Sequence, residues 1–534
     1  MEKVPVNKKA LRNYLECGGM RLRLATTALA LASAFLPACS GGSVSTPSTT
    51  VGALPPGNAG TPTPTPTPVA PPPIAPLGVT QTVADLRFGY GPTIPKAPGV
   101  DPAGDAKALI AATFVSPATA PIPGTITLGS YATSERFVLR VPTAWNGKLV
   151  VAGTPATRSE FANDAIWSDF ILARGYAFAS SNKGIPYNAI VEAAGGTTAP
   201  TTAYPIAFNP LGFETAGLTL KFGLLTQSSS TTIADWNADF AALTYKMQDQ
   251  LRVLVGRAPT RTYAVGLSNG GAQVRSLIEQ HPELVDGGVD WSGVFWSPNT
   301  SFMDYMPKFN AAMPSYIASG FTDASAQAAI VAAGYPADIK QGNPAHPSLW
   351  SEYFSNVFPY YADLTIFEYA LYLDPQIASS FTGSKPCIPN LSDPVRQPGT
   401  CSATGMALPA SRASYVPSFF ARQKFAAFAH TGAIAKPIVS IAGSADMFIT
   451  PQNNAVAYLN AVNAAGAGSL YHQYIVAGGT HVDSFAAFGY GLQPQAPFAW
   501  RAFDQLVDIV EKKANVPGAG SSVSVSSPSD IPVP

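Results

Sequence analysis

Between residues 80 and 515, brief apolar runs alternate with segments of helical periodicity, and this alternation restricts the fold more than any other feature. Leu149–Ala152 (LVVA), Tyr176–Ala179 (YAFA), Thr262–Val265 (TYAV), Gly287–Asp290 (GGVD) and Ile438–Ile441 (IVSI) are too short for helices and almost free of charge. Such runs suit strands covered on both faces, as in a parallel sheet. Thr125–Leu128 (TITL) and Phe137–Val141 (FVLRV) alternate apolar and polar residues, the pattern of half-buried antiparallel strands. Between strands, Phe240, Leu243, Met247, Leu251 and Leu254 recur at three and four, with Asp239, Lys246, Asp249 and Arg252 placed away from that stripe. Trp500, Phe503, Leu506, Val507 and Val510 share a second helical face. The order predicts an α/β fold with a mostly parallel central sheet and helices on both faces.

The ends of the chain read differently. Arg21 and Arg23 precede the short apolar run from Leu24 to Pro37, and Leu36-Pro37-Ala38-Cys39 resembles the lipobox of bacterial lipoproteins. Residues 1–38 are therefore expected to be a lipoprotein signal peptide, removed before Cys39, whose sulfur takes the lipid. Met20 alone opens a complete signal, which makes it the candidate start and leaves Cys17 untranslated. Residues 39–79 form a Pro/Thr/Gly-rich tether whose proline-rich part favours extended polyproline II, with a reach on the order of 100 Å. Ser40 after the modified cysteine favours the outer membrane, so the protein is expected to be exported, lipid-anchored and either periplasmic or surface-exposed. Residues 516–534 are expected as a disordered tail.

The folded part divides into a first core segment (80–293), a lid or insertion subdomain (294–435) and a second core segment (436–515). A further Gly/Thr/Pro-rich stretch, 181–235, separates a strand from its helix. Insertions of such length between core elements are usually functional. Lys+Arg and Asp+Glu both number 32, and charged residues make up only 12% of the chain. That balance lacks the electrostatic footprint of a nucleic-acid partner. No run of 18 apolar residues is present, so the membrane is expected only through the N-terminal lipid. Cys387 and Cys401 fall in the insertion; in an oxidising compartment they are expected to form a disulfide closing a loop of about 15 residues, worth roughly 3 kcal/mol. No second Cys/His pair stands at ligand spacing, so no metal or other cofactor is expected.

The chemistry centres on Gly266-Leu267-Ser268-Asn269-Gly270-Gly271, directly after the strand TYAV and before the helical AQVRSLIEQH. A strand–turn–helix with serine at the turn is a nucleophile elbow, flanked by glycines because side chains there would collide. A serine hydroxyl needs a positioned base. Of the five histidines, His281 ends the elbow helix, His346 and His430 lie in the insertion, and His472 lies within the strand SLYHQYIVA. His481 follows that strand in Ala477-Gly478-Gly479-Thr480-His481, at the sheet edge where functional loops gather, and is the favoured base. The base needs a carboxylate to fix its tautomer. Asp446, in Gly443-Ser444-Ala445-Asp446 after the strand IVSI and before Thr450-Pro451, is favoured. Asp290, at the end of the preceding strand, is the rival, while Asp483 is too close to His481 in sequence to orient it.

The order Ser268…Asp446…His481 along a chain of alternating strands and helices resembles the α/β-hydrolase superfamily. The resemblance covers residues 125–180, 236–293 and 436–513. It implies a sheet of about eight strands, a Ser-His-Asp triad and hydrolysis through an acyl-enzyme. It also implies two backbone oxyanion donors. One is Asn269; the other comes from Gly153-Thr154-Pro155-Ala156, where Pro155 has no N–H, leaving Thr154 or Ala156, of which Thr154 is favoured. Secreted tannase- and feruloyl-esterase-like members carry a disulfide beside the serine, whereas Leu267 and Asn269 flank Ser268. The export signal, the lid and GLSNGG are more similar to bacterial lipoprotein esterases and polyester-oligomer hydrolases. The expected activity is hydrolysis of an apolar, aryl or oligomeric hydroxyacid ester. The alternatives are a serine peptidase or amidase on the same scaffold and a non-catalytic binding lipoprotein. The insertion's Tyr353, Phe354, Phe358, Tyr360, Tyr361, Phe367 and Tyr369 serve either as a pocket wall or as the insertion's own core.

Overall fold

The computed structural model describes residues 75–88, most of 109–184, 235–341, 347–356 and 415–534, with a few isolated positions between them. Ten strands form one sheet: β1 (Gly78–Val83), β2 (Gly124–Ser130), β3 (Arg136–Pro142), β4 (Lys148–Gly153), β5 (Ala177–Ser181), β6 (Arg261–Leu267), β7 (Gly287–Trp291), β8 (Ile438–Gly443), β9 (Tyr471–Val476) and β10 (Ser522–Val525). Their order is β1-β2-β3-β5-β4-β6-β7-β8-β9-β10. The β1–β2, β2–β3 and β3–β5 pairings are antiparallel and all others parallel. The described helices are α1 (Trp236–Val255), α2 (Asn269–Gln280), α3 (Phe302–Ala318), α4 (Ala324–Ala332), α5 (Leu349–Asn356), α6 (Phe419–Ala427), α7 (Ala457–Ala464) and α8 (Ala496–Glu511). With β6, a sharp turn and α2 at its centre, the architecture is an α/β-hydrolase fold.

The alternation of side chains along each strand explains the layers. In β6, Tyr263 and Val265 face α8, packing with Phe503 and Leu506, whereas Ala264 faces the other side among Leu243 and Met247 of α1 and Val274 and Leu277 of α2. Both faces are thus dry, as the uncharged strand sequences require. β3 departs from its expected half-exposed character and is buried throughout. Its Arg140 reaches Asp164 through two bonds of 2.7 and 2.6 Å, so the polar positions of the alternation point at a partner rather than at water. Asp239 departs likewise: it lies off the α1 stripe but is buried, accepting a 2.9 Å bond from Tyr131 Oη. Burial pushes its carboxyl up to about 7.

Two further differences concern the edges. β1 begins inside the expected tether, and residues 516–534 are not a tail. β10 pairs in parallel with β9, and Val525 and Ile531 are buried in the core beneath α8. Arg501 Nε donates to Ile531 O and Gln505 Nε2 to Pro532 O, which fastens the end of the chain to α8. These two edge strands raise the sheet from about eight strands to ten. The described part of the insertion is helical, with its own core built around Trp296, Phe302, Phe309, Tyr335 and Trp350. Among the described residues, no helix is long and apolar enough to cross a membrane. Cys17, Cys39, the tether to residue 74, His346, Phe354, Phe358, Tyr360, Tyr361, Phe367 and the Cys387–Cys401 pair lie outside the described residues, or their side chains do.

Deleting residues 516–534 therefore removes three buried apolar side chains, Val516, Val525 and Ile531, each worth about 1.5–3 kcal/mol of burial, and turns β9 into an open edge. A thermal melt is expected to drop by several degrees, and an unchanged melting temperature would contradict the assignment of β10.

Candidate active site

Three parallel strands deliver the favoured residues to one edge of the sheet. Ser268 follows the last residue of β6, Asp446 lies three residues beyond β8, and His481 five beyond β9. Because β6, β7, β8 and β9 run in parallel, these loops all emerge at the carboxyl end. Ser268 has φ +62° and ψ −121°, a conformation that L-residues avoid. It is held there from both sides. Its N–H donates to Trp291 O at 2.9 Å, and its carbonyl accepts from Ala272 at 3.1 Å and Val294 at 3.2 Å.

Asp446 and His481 are hydrogen-bonded, with 2.9 Å between His481 Nδ1 and Asp446 Oδ2. The carboxylate is fully buried, and its other oxygen accepts from the backbone N–H groups of Phe448 (2.9 Å) and Ile449 (2.8 Å). Two peptide donors on one oxygen fix the other toward the imidazole. The loops themselves meet backbone to backbone: a Cβ on Gly443 would lie 2.2 Å from Gly479 O, and Ala445 N donates to that same carbonyl at 2.9 Å. Only glycine permits this approach. Asp483, two residues on, is engaged elsewhere, accepting from Gln495 N and Ala496 N at the start of α8.

The rivals have other occupations. Asp290 is fully buried with Arg275, at 2.7 Å from Nε and 2.6 Å from Nη2, and also accepts from Ser440 Oγ and Gly293 N. It ties α2, β7 and β8 together. His472 is the second residue of β9, about 13 Å of strand short of the carboxyl edge at 3.3 Å per residue; burial lowers its pKa. His430 is buried with Nδ1 accepting from Trp296 N at 3.2 Å and Nε2 3.0 Å from Ala272 O, which joins the insertion to α2. His281 lies exposed beside Glu283.

The Gly153–Ala156 loop lies against the elbow. Gly153 pairs with Gly266 in register, and a Cβ on Gly270 would lie 2.1 Å from Gly153 O. Thr154, expected to be the second oxyanion donor, gives its N–H to Gln273 Oε1 at 3.2 Å instead. Gln273, on the first turns of α2, also donates to Trp236 O at 2.8 Å. The Ala156 N–H has no acceptor among the described residues, and Ala156 has φ +42°. Gln273 went unnoticed in the sequence because a glutamine on an amphipathic helix gives no signal of its contacts.

Aromatic rings flank His481. His481 stacks on Phe448 (5.7 Å between centroids), Phe448 on Phe485 (5.3 Å) and Phe485 on Phe488 (5.4 Å). Tyr353, from the insertion, sets its ring edge-on to Phe448, Phe485 and Phe488. Tyr369 packs edge-on to Phe302, and both Tyr353 and Tyr369 are buried in the core of the insertion.

No family model matches the sequence, and no curated protein matches it. Among solved structures, feruloyl esterase B from Aspergillus oryzae is similar over 82% of this chain and 87% of that one, with 12% identity and a TM-score of 0.43. The rice cell wall degrading esterase LipA from Xanthomonas oryzae is similar over 82% of this chain and 99% of that one, at 13% identity and a TM-score of 0.38. An acylaminoacyl peptidase from Pyrococcus horikoshii covers 74% of this chain and 43% of its own, at 10% identity and 0.36.

The Arg275–Asp290 contact yields a direct expectation. Asp290→Asn leaves a guanidinium buried without its counter-charge and should cost about 3–5 kcal/mol of stability. Urea denaturation measures it; a loss below about 1 kcal/mol would contradict the structural role given to Asp290.

Proposed function

We propose that this chain is a carboxylic ester hydrolase working through Ser268, His481 and Asp446 and an acyl-enzyme. The observation that carries the reading is the 2.9 Å His481–Asp446 bond at the sheet edge that also presents the strained Ser268 turn. With Asp446 on Nδ1, the tautomer that donates there leaves Nε2 as the nitrogen that accepts the serine proton. Ser268 Oγ then attacks the ester carbonyl, and the carbonyl oxygen becomes an oxyanion. The donors for it are the N–H groups of Asn269, at the first turn of α2 where helix amides have no intrahelical acceptor, and of Ala156. His481 returns the proton to the leaving alkoxide. Water, activated by the same imidazole, releases the acid from Ser268.

The stacked rings of Phe448, Phe485 and Phe488 with Tyr353 support an apolar or aryl group on the substrate, placed beside the base. Backbone oxyanion donors and a Ser-His-Asp set serve amides as well as esters, so the leaving group decides between an esterase and a peptidase. The export sequence extends the proposal to an enzyme tethered to a bacterial membrane by lipid on Cys39, facing substrates outside the cytoplasm.

Pure protein is expected to hydrolyse a 4-nitrophenyl alkanoate and to leave the matching 4-nitroanilide intact, while Ser268→Ala loses on the order of 10⁶ in kcat. Anilide cleavage at a comparable rate would make the enzyme an amidase, and more than one per cent residual activity in Ser268→Ala would remove the serine from the mechanism. On fractionation, Cys39→Ala is expected to leave the membrane pellet for the soluble fraction; its retention in the pellet would contradict the anchor.

A further inference from the structure

Lys183 follows β5 and is fully buried in the layer behind the Gly153–Ala156 loop. Its Nζ donates to Thr154 O at 2.7 Å and also to Ala156 O. It lies 4.2 Å from the centre of the Trp236 ring; burial pushes its pKa well below the usual lysine range, and the nearby Asp239 carboxylate opposes that shift. Asp239 is itself bonded to Tyr131 Oη (2.9 Å) and Ser181 Oγ (3.4 Å). Lys183 adopts φ +57° to reach this position. A buried ammonium is costly to desolvate, and apolar replacements of buried charges are often neutral or stabilising. The place where this one is kept is therefore informative.

The amide of Ala156 belongs to the peptide between Pro155 and Ala156. The carbonyls on either side of it, those of Thr154 and Ala156, are the two that Lys183 Nζ holds. Thr154 is further pinned by its N–H on Gln273 Oε1 and its hydroxyl on Ser181 O, while Asn163 Nδ2 holds Gly153 O at 3.2 Å. Pro155 contributes no N–H. Of the three residues after Gly153, only Ala156 retains a backbone donor that no described residue uses, and Ala156 has a positive φ that alanine does not choose unaided.

We infer that Lys183 is a positioning residue: by clamping the carbonyls of Thr154 and Ala156 it fixes the Ala156 N–H as the second oxyanion donor for attack by Ser268. This rests on the esterase reading above. Interactions of this kind act on the transition state, so the loss should fall on kcat rather than KM.

The test compares wild type with Lys183→Met, and with Lys183→Gln, which can still donate to one carbonyl. Three quantities are measured: kcat and KM on a 4-nitrophenyl ester, inhibition by an alkyl boronic acid that forms a tetrahedral adduct on the serine, and inhibition by the product carboxylate. Lys183→Met is expected to lower kcat about ten- to a hundredfold, below the roughly 10²–10³ of deleting an oxyanion donor outright. KM should stay within about threefold. Boronate affinity should fall in step with kcat/KM, product affinity should hold, and Lys183→Gln should be intermediate. If Lys183→Met does not fold, Lys183→Gln decides. Wild-type kcat, or a lowered kcat with unchanged boronate affinity, overturns the clamp. A wild type that hydrolyses no ester and does not bind the boronate overturns the serine mechanism and the clamp with it. An active, boronate-sensitive wild type with an equally active variant overturns the clamp alone.

Discussion

A serine does not hold φ +62° and ψ −121° by its own preference, and a residue in such a region costs of order 1–3 kcal/mol. The surroundings of Ser268 over-determine that conformation. Its N–H is taken by Trp291 O on the neighbouring strand, and its carbonyl is shared by Ala272 and Val294. These bonds exist because β6 and β7 are parallel and in register, with Leu267 opposite Trp291. The helix that leaves the turn is fixed in turn by the buried Arg275–Asp290 pair and by His430 on Ala272 O. The strain at the serine is thus borne by the centre of the sheet, the part of the fold hardest to move.

Backbone contacts closer than any side chain permits recur around the site. Gly270 meets Gly153, which brings the loop after β4 against the Ser268 turn; Gly443 meets Gly479, which brings the Asp446 loop against the His481 loop. The polar groups freed at the strand ends are then taken by buried side chains: Gln273 and Lys183 on the first loop, and Gln495 on Thr480 O beside His481. The sheet supplies direction, the glycines supply proximity and the buried polar groups supply orientation. The insertion reaches this region through the buried Tyr353, whose ring packs on Phe448, the ring that stacks on His481.

Much of this was legible in the sequence because period-2 and period-3.6 patterns report burial directly. The strands from β2 to β9 and the helices α1, α2 and α8 fall where those patterns stand, and the elbow is visible because glycines must flank a turned serine. Strand ends followed by Gly-rich loops marked Asp446 and His481. Their mutual bond, however, depends on the β8–β9 register, which no local pattern encodes. β10 was missed because SVSV buries little beyond Val525, so the segment around it reads as a polar tail. Asp239 and Lys183 were invisible for the opposite reason. Charged residues are assigned to solvent by default, and both are buried through partners distant in sequence, Tyr131 and the Thr154–Ala156 carbonyls. The engagement of the Thr154 N–H by Gln273 was equally hidden, because that acceptor lies 119 residues away.

The central claim is that Ser268, Asp446 and His481 act as one nucleophilic unit, and covalent labelling addresses it most directly. The full-length protein is incubated with a fluorophosphonate at neutral pH, and the modified peptide is mapped by mass spectrometry. The account predicts a single adduct on Ser268 that fails to form when His481 is replaced by alanine. An adduct on another residue, or labelling of Ser268 at the same rate without His481, would contradict it.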